Sequence, residues 1–474
     1  MIKYFKKNLP DRFLTILFFL LILRLPYIIQ GMPLLNSELK WMVVGEKMAH
    51  GWMIYKSIWD DLAPLSAVVY AGLHFLFGRS MLAYEILSLI LVGIQAMQIQ
   101  LLARKPLYAE PNMFPAYIYV IACNLFFDFY TLSPVLLSIS FILIALDKCL
   151  QHLEHPLTDD KIFSIGFMMG LASLFYLPSL IVLIGICFGL LVVSQINPRQ
   201  IFLVLFGFAF VSGIAFIIFF ELDAKDSFYF CFINSLSFSK IKNIELSTPV
   251  IISLPLVFFM LGGMFRSVIR NQRLVNYQIR SIQFMFFLSV TCLISIHMSR
   301  YANPYQNMIL LIPVSFFGAH FFVSIQKKWW AAELANIIML TAILGMNIIT
   351  FYNLTPNFKA LEVSDLIVNR KNIKSEIKNK KILVLGDKIS DYLENELATP
   401  YFNPYLSENH LGDMNNFVSV ETLYENFLRD MPDVIIDPQR KMKPVFNRIP
   451  ALKNRFEIKK GNENIYFLKN VNQK

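Results

Sequence analysis

Between Phe13 and Ile29 the chain carries a single charge, Arg24, and comparable apolar stretches recur up to residue 352. A bilayer core takes about 20 predominantly apolar helical residues, because in lipid the backbone must satisfy its own hydrogen bonds. Only 16% of the chain is charged and 56% is hydrophobic, where soluble domains run near about 25% charged. The fold class predicted is therefore an α-helical polytopic membrane protein. The first run is long, lacks a small-residue cleavage site and is followed by further spans, so it reads as a retained span rather than a cleaved signal.

About eleven spans are predicted, near 13–30, 80–103, 112–128, 133–150, 161–179, 181–196, 200–220, 248–266, 281–298, 305–325 and 330–352. Segment 64–77 is apolar but short, and is expected to lie at the interface. Lys3, Lys6, Lys7 and Arg12 place the N-terminus in the cytoplasm by the positive-inside rule. Arg104 and Lys105, Lys148 and Lys161, Arg199, the group Arg266, Arg270, Arg273 and Arg280, and Lys327 and Lys328 then fall in cytoplasmic segments. The segment 221–246 is mixed, with Asp223, Lys225, Asp226, Lys240, Lys242 and Glu245, as an outer loop should be. The net charge of +10 is accounted for by these clusters, so no nucleic-acid partner is expected. The five cysteines form no Cys-x-x-Cys pair, and neither a zinc site nor a disulfide framework is indicated.

An odd number of spans puts residues 353–474 outside. This region is richer in Lys, Asn, Glu and Asp, and its apolar runs are short. Lys381–Gly386, Asp433–Asp437 and Asn464–Leu468 read as strands and Asp391–Leu397 as a helix, predicting a small C-terminal α/β extracytoplasmic domain. It lacks a Gly-rich phosphate loop, since Gly386-Asp387 alone is too little. A lid or docking platform is the plain reading. The organisation predicted is thus a membrane-spanning domain over 1–352, with 31–79 as its first outer loop, and an extracytoplasmic domain over 353–474.

Ionisable residues at a membrane boundary mark functional candidates. Glu38 opens a predicted amphipathic helix with Trp41 and Met42 on its face and Lys40, Val44 and Lys47 on another. It can serve as an acid at the positive helix end, with Ser37 as N-cap, or as a reactive carboxylate. Asp60 and Asp61 admit a divalent metal held through a diphosphate, though adjacent side chains usually point apart, so one is expected to face a pocket and a solvated loop is the plain alternative. Arg300, with His297, Tyr301 and Tyr305, is either an interfacial anchor or a phosphate or sugar clamp, because a guanidinium fork matches phosphate oxygens. His50 and His74 lack metal-ligand spacing.

The series Ser37, Glu38, Trp41, Gly51, Tyr55, Pro64, Leu65 and the turn Phe77-Gly78-Arg79-Ser80 resembles the GT-C superfamily, polytopic glycosyltransferases that use polyprenyl-phosphate sugars, such as protein mannosyltransferases and aminoarabinose transferases of lipid A. Leu132-Ser133-Pro134 and the stretch from Arg300 to Tyr305 are similar to further motifs of that family, and the layout agrees along the whole chain. The resemblance implies a bacterial inner-membrane enzyme moving a sugar from a polyprenyl-phosphate carrier to a lipid, glycan or protein acceptor on the outer face. It implies Glu38 as general base, Lys40, Lys56, Arg79 or Arg300 as phosphate partners, and Asp60, Asp61, Asp128 and Tyr301 in substrate binding. No cofactor is certain, and a divalent metal is open.

Three positions depart from the family pattern. Ser37 stands where the first acid is usual, Ser133 where the second-loop acid is usual, and Leu62 where a lysine often precedes Pro-Pro-Leu. Serine is no base at neutral pH without an activating group. The first alternative is accordingly a non-catalytic relative that binds or assembles lipid-linked glycans. The second is a transporter or flippase, against which Asp11, Arg24, Glu85 and Asp147 all lie toward span ends rather than at midplane.

Overall fold

The computed structural model describes the chain except residues 104–106, 109–111, 195, 234, 238–246, 270–273, 326–327, 355–360, 370–376, 387–388, 459–463 and 470–474. Arg104, Lys105, Lys240, Lys242, Glu245, Arg270, Arg273 and Lys327 therefore lie outside the described residues.

Among the described residues, eight helices are long and apolar enough to cross a membrane: Pro10–Gln30, Met81–Ala103, Pro134–Glu154, Pro198–Glu221, Ser247–Ile269, Asn276–Met298, Pro304–Ile325 and Trp329–Phe351. This is a polytopic membrane protein. The other three expected spans are shorter helices, Phe114–Ala122, Asp159–Phe175 and Leu180–Val193. Pro178 sits in a 3-10 turn between the last two and divides them. The segment expected to cross at 112–128 is helical for only 9 residues and then turns irregular.

Contacts group the chain into two units, the first made of Met1–Met32, Met81–Ala215 and Ser235–Asp365. Its interior is Asn112–Leu136, buried throughout, beside the largely buried Pro304–Ile325. The irregular backbone that follows Ala122 needs hydrogen-bond partners supplied by protein. Arg24, 1% exposed, supplies them by donating to the carbonyls of Cys123 at 3.4 Å and Phe129 at 3.1 Å, and to Ser88 Oγ at 3.0 Å. Asn347 donates to the Asn124 carbonyl at 2.8 Å and to the Tyr130 hydroxyl at 2.7 Å. Gly166 lets Asp159–Phe175 approach Pro198–Glu221 closely, since a Cβ there would fall 1.7 Å from the Val204 carbonyl oxygen.

The second unit joins Pro33–Ser80, Phe216–Asn234 and Leu366–Lys474. Its sheet contains β1 (Lys381–Val384), β2 (Glu396–Leu397), β3 (Val434–Ile436), β4 (Phe456–Ile458) and β5 (Ile465–Leu468), in the order β2-β1-β3-β5-β4. β1 is parallel to β2 and β3, with Ile382 opposite Leu397 and Val434, while β5 runs antiparallel to β3 and β4. Three of the expected strands are thus present. The expected helix at 391–397 is instead a 3-10 turn, Ile389–Glu394, running into β2. The link from β1 to a parallel neighbour is too short there for a full helical crossover.

The loop after the first span is woven into this unit. Trp59 donates its N–H to the Pro400 carbonyl at 2.7 Å, Asn403 returns one to the Trp59 carbonyl at 3.1 Å, and Val368 donates to Leu34 at 2.8 Å. Helix Asn36–Ala49 crosses Pro64–Phe77 at Gly45, where a Cβ would fall 2.6 Å from the Tyr70 carbonyl oxygen. The Trp41 and Tyr70 rings stack 5.6 Å apart. Eight of its 14 residues are buried, including Lys47 and Val44, so it is an interior helix rather than one with a single apolar stripe. Pro64–Phe77 has 14 residues, as expected, too short for a crossing.

Candidate functional site

Glu38 is the third residue of helix Asn36–Ala49 and 3% exposed. The N-cap is Leu35, so Ser37 lies inside the first turn and does not cap it, which corrects the expectation for that serine. A carboxylate in this turn meets the positive end of the helix dipole.

Two residues on, Lys40 turns its ammonium to both members of the acid pair, at 3.0 Å from Asp60 Oδ2 and 2.7 Å from Asp61 Oδ1. The expectation that the two carboxylates would point apart is overturned, because one half-buried lysine holds both. Asp60 also accepts the Leu62 N–H at 2.8 Å, and Asn403 Nδ2 lies 3.4 Å from Asp61 Oδ1. Burial pushes the Asp60 carboxyl up to about 6, with Lys40 pulling the other way. Tyr55, with φ of 68°, closes the same loop by donating its hydroxyl to the Leu62 carbonyl at 2.7 Å.

The remaining basic candidates of this unit differ in availability. Arg79 is a clamp: it binds Glu46 and donates to the carbonyls of Tyr392, Leu393 and Asn395. Lys56, about a third exposed, donates to the Leu222 carbonyl at 2.9 Å.

Asp128, Arg300 and Tyr301 belong to the first unit. Asp128, on the 3-10 turn Phe127–Tyr130, is buried and accepts the Tyr305 N–H at 2.9 Å, so it caps the start of Pro304–Ile325. Its position beside the Arg300–Tyr305 stretch is one juxtaposition that the sequence alone could not establish. Arg300, 4% exposed, is set by its backbone N–H to the Ser235 carbonyl at 3.3 Å, next to the bridge of Leu236 with Ser299. Tyr301 is partly exposed. Ser133 is the N-cap of Pro134–Glu154, its Oγ accepting the Leu136 N–H at 3.2 Å.

Among the described residues no three His, Cys, Asp or Glu side chains gather to hold a metal. His50 and His74 meet edge to face at 5.9 Å. Sequence reasoning missed the polar group of Lys47, Trp52, Lys381, Glu396 and Asp430, whose members lie in distant parts of the chain and carry no local motif.

The crystal structure of ArnT from Cupriavidus metallidurans bound to undecaprenyl phosphate is similar to this chain, over 98% of this chain and 97% of that one. The TM-score is 0.51 and the identity 12%, so the likeness is one of fold, an ArnT-like polytopic arrangement. No curated protein matches the chain. The model of the family of unknown function DUF6427 matches residues 63–353, well over half of the sequence, and the chain belongs to that family.

Proposed function

We propose that this protein is a membrane glycosyltransferase that moves a sugar from a polyprenyl-phosphate carrier to an acceptor on the outer face of a bacterial inner membrane. The observation that carries the reading is the end-to-end likeness in fold to an ArnT structure holding undecaprenyl phosphate. The buried carboxylate of Glu38, just after the first span, supports it from within the chain.

In this reading the acceptor hydroxyl oxygen attacks the anomeric carbon of the sugar and passes its proton to Glu38. The bond from that carbon to the carrier oxygen breaks, and polyprenyl phosphate leaves with the electron pair. Within the unit that carries Glu38, Lys56 is the proposed phosphate partner: about a third exposed, it donates to the Leu222 carbonyl and its ammonium lies 4.0 Å from Asp223. Asp60 and Asp61 then shape the loop through Lys40.

Native mass spectrometry of the purified full chain with undecaprenyl phosphate tests the carrier. The expected result is one bound carrier that survives excess phosphatidylglycerol and weakens in Lys56→Gln. Binding no stronger than that of phosphatidylglycerol would overturn the reading. A non-catalytic lipid-glycan binder is favoured by one observation, the use of Ser133 as a plain helix cap where the resembled family carries an acid. Such a protein would bind the carrier and tolerate loss of the Glu38 carboxylate.

A further inference from the structure

The helix Asn36–Ala49 ends at a cavity of about 230 Å³, whose walls include Glu46, Lys47, His50, Trp52, Lys381 and Glu396. All of these belong to the second unit, and none is a candidate residue of the proposed transfer reaction. The wall is built rather than incidental. Lys47 is 6% exposed, pairs with Asp430 and donates to the Leu397 carbonyl at 2.7 Å. Lys381 Nζ stands 3.6 Å from the other Asp430 oxygen, and Glu46 is held by Arg79. The Lys47 ammonium lies 4.5 Å from the centre of the Trp52 indole, and the Arg429 guanidinium 5.6 Å from it.

The signs of these charges select the ligand. An inorganic anion would meet Glu46 and Glu396, a cation would meet Lys47 and Lys381, and an apolar guest would strip water from all four without replacing it. A neutral polyol fits both kinds of group, since each hydroxyl donates to a carboxylate and accepts from an ammonium. Trp52 lines the cavity too, its ring holding the Lys47 ammonium and the Arg429 guanidinium in place. The volume is below the roughly 300–1,000 Å³ of drug-sized pockets, so it suits one sugar residue rather than a longer chain.

We infer that this cavity is a binding site for a single neutral pyranose residue, separate from the proposed transfer reaction. The inference stands whether the protein transfers sugars or only binds them.

Saturation-transfer difference NMR on the full chain in nanodiscs tests it, with methyl α-D-glucopyranoside, methyl α-D-mannopyranoside and N-acetyl-D-glucosamine as probes. Inorganic phosphate and glucuronate serve as competitors. The expected result is transfer to at least one neutral sugar, not displaced by phosphate or glucuronate. Glu396→Gln, on an exposed side chain of a strand edge, should weaken binding roughly ten-fold, the loss of one charge-assisted hydrogen bond. No transfer to any of the three sugars would overturn the inference, as would undiminished transfer in Glu396→Gln or displacement by phosphate.

Discussion

Lys47 and Asp430, 383 positions apart, form a buried ion pair that ties the first loop to the C-terminal sheet region. The same carboxylate accepts the Thr399 N–H at 3.0 Å, so the pair sits in a satisfied network. The loop bearing Glu38 thus groups by its contacts with Leu366–Lys474 in one unit.

Breaking that pair from one side leaves a buried charge. Lys47→Met or Asp430→Asn is expected to lower stability by about 3–5 kcal/mol, and the double variant Lys47→Met with Asp430→Leu by less than either alone. Thermal melts of the detergent-solubilised full chain read this. Single variants that melt with wild type would show that the pair does not hold the unit together.

Asp60 makes stability depend on pH in a defined direction. Its folded value, about 6, lies above the ordinary 3.8, so the folded state holds the proton more tightly. The contribution favours folding fully at low pH and is lost as pH rises through about 6. Wild type should gain melting temperature over Asp60→Asn on going from about pH 8 to about pH 5. A difference that does not change with pH would contradict the burial of an ionisable Asp60.

Gly45 is expected to resist any side chain. A Cβ at this position would sit 2.6 Å from the Tyr70 carbonyl oxygen, so Gly45→Ala must push two helices apart. A loss of about 1–3 kcal/mol is expected, against a small gain if the helix were free on a surface. Limited proteolysis of the first loop, faster in the variant, would register it.

Ser133→Ala removes the cap of Pro134–Glu154 and should cost about 1 kcal/mol, without affecting carrier binding. Loss of carrier binding at wild-type stability would give Ser133 a direct role in the substrate instead.

The membrane helices are readable because length and missing charge report bilayer spans directly. Strands β1, β3 and β5 are readable from Lys381–Gly386, Asp433–Asp437 and Asn464–Leu468, short apolar runs between polar ones. The three-residue β4, Phe456–Ile458, is too brief to leave a pattern. Helix Asn36–Ala49 is readable as a helix but not as an interior one, because Lys47 and Trp41 find their surroundings in residues that its own periodicity does not report. For the same reason Lys40 reads as a phosphate ligand in the sequence, while in the fold Asp60 and Asp61 close onto it. The span expected at 112–128 fails because nothing in its composition announces that Arg24 and Asn347 will hold a broken helix.

The most direct measurement for the transferase reading is Glu38→Gln, expressed in a strain deleted for the protein and scored by profiling envelope lipids and glycans. The account predicts a variant that accumulates normally, binds undecaprenyl phosphate as wild type does, and leaves the glycan profile of the deletion unrepaired. A glutamine variant that restores that profile in full would contradict the account, because an amide cannot take the acceptor's proton.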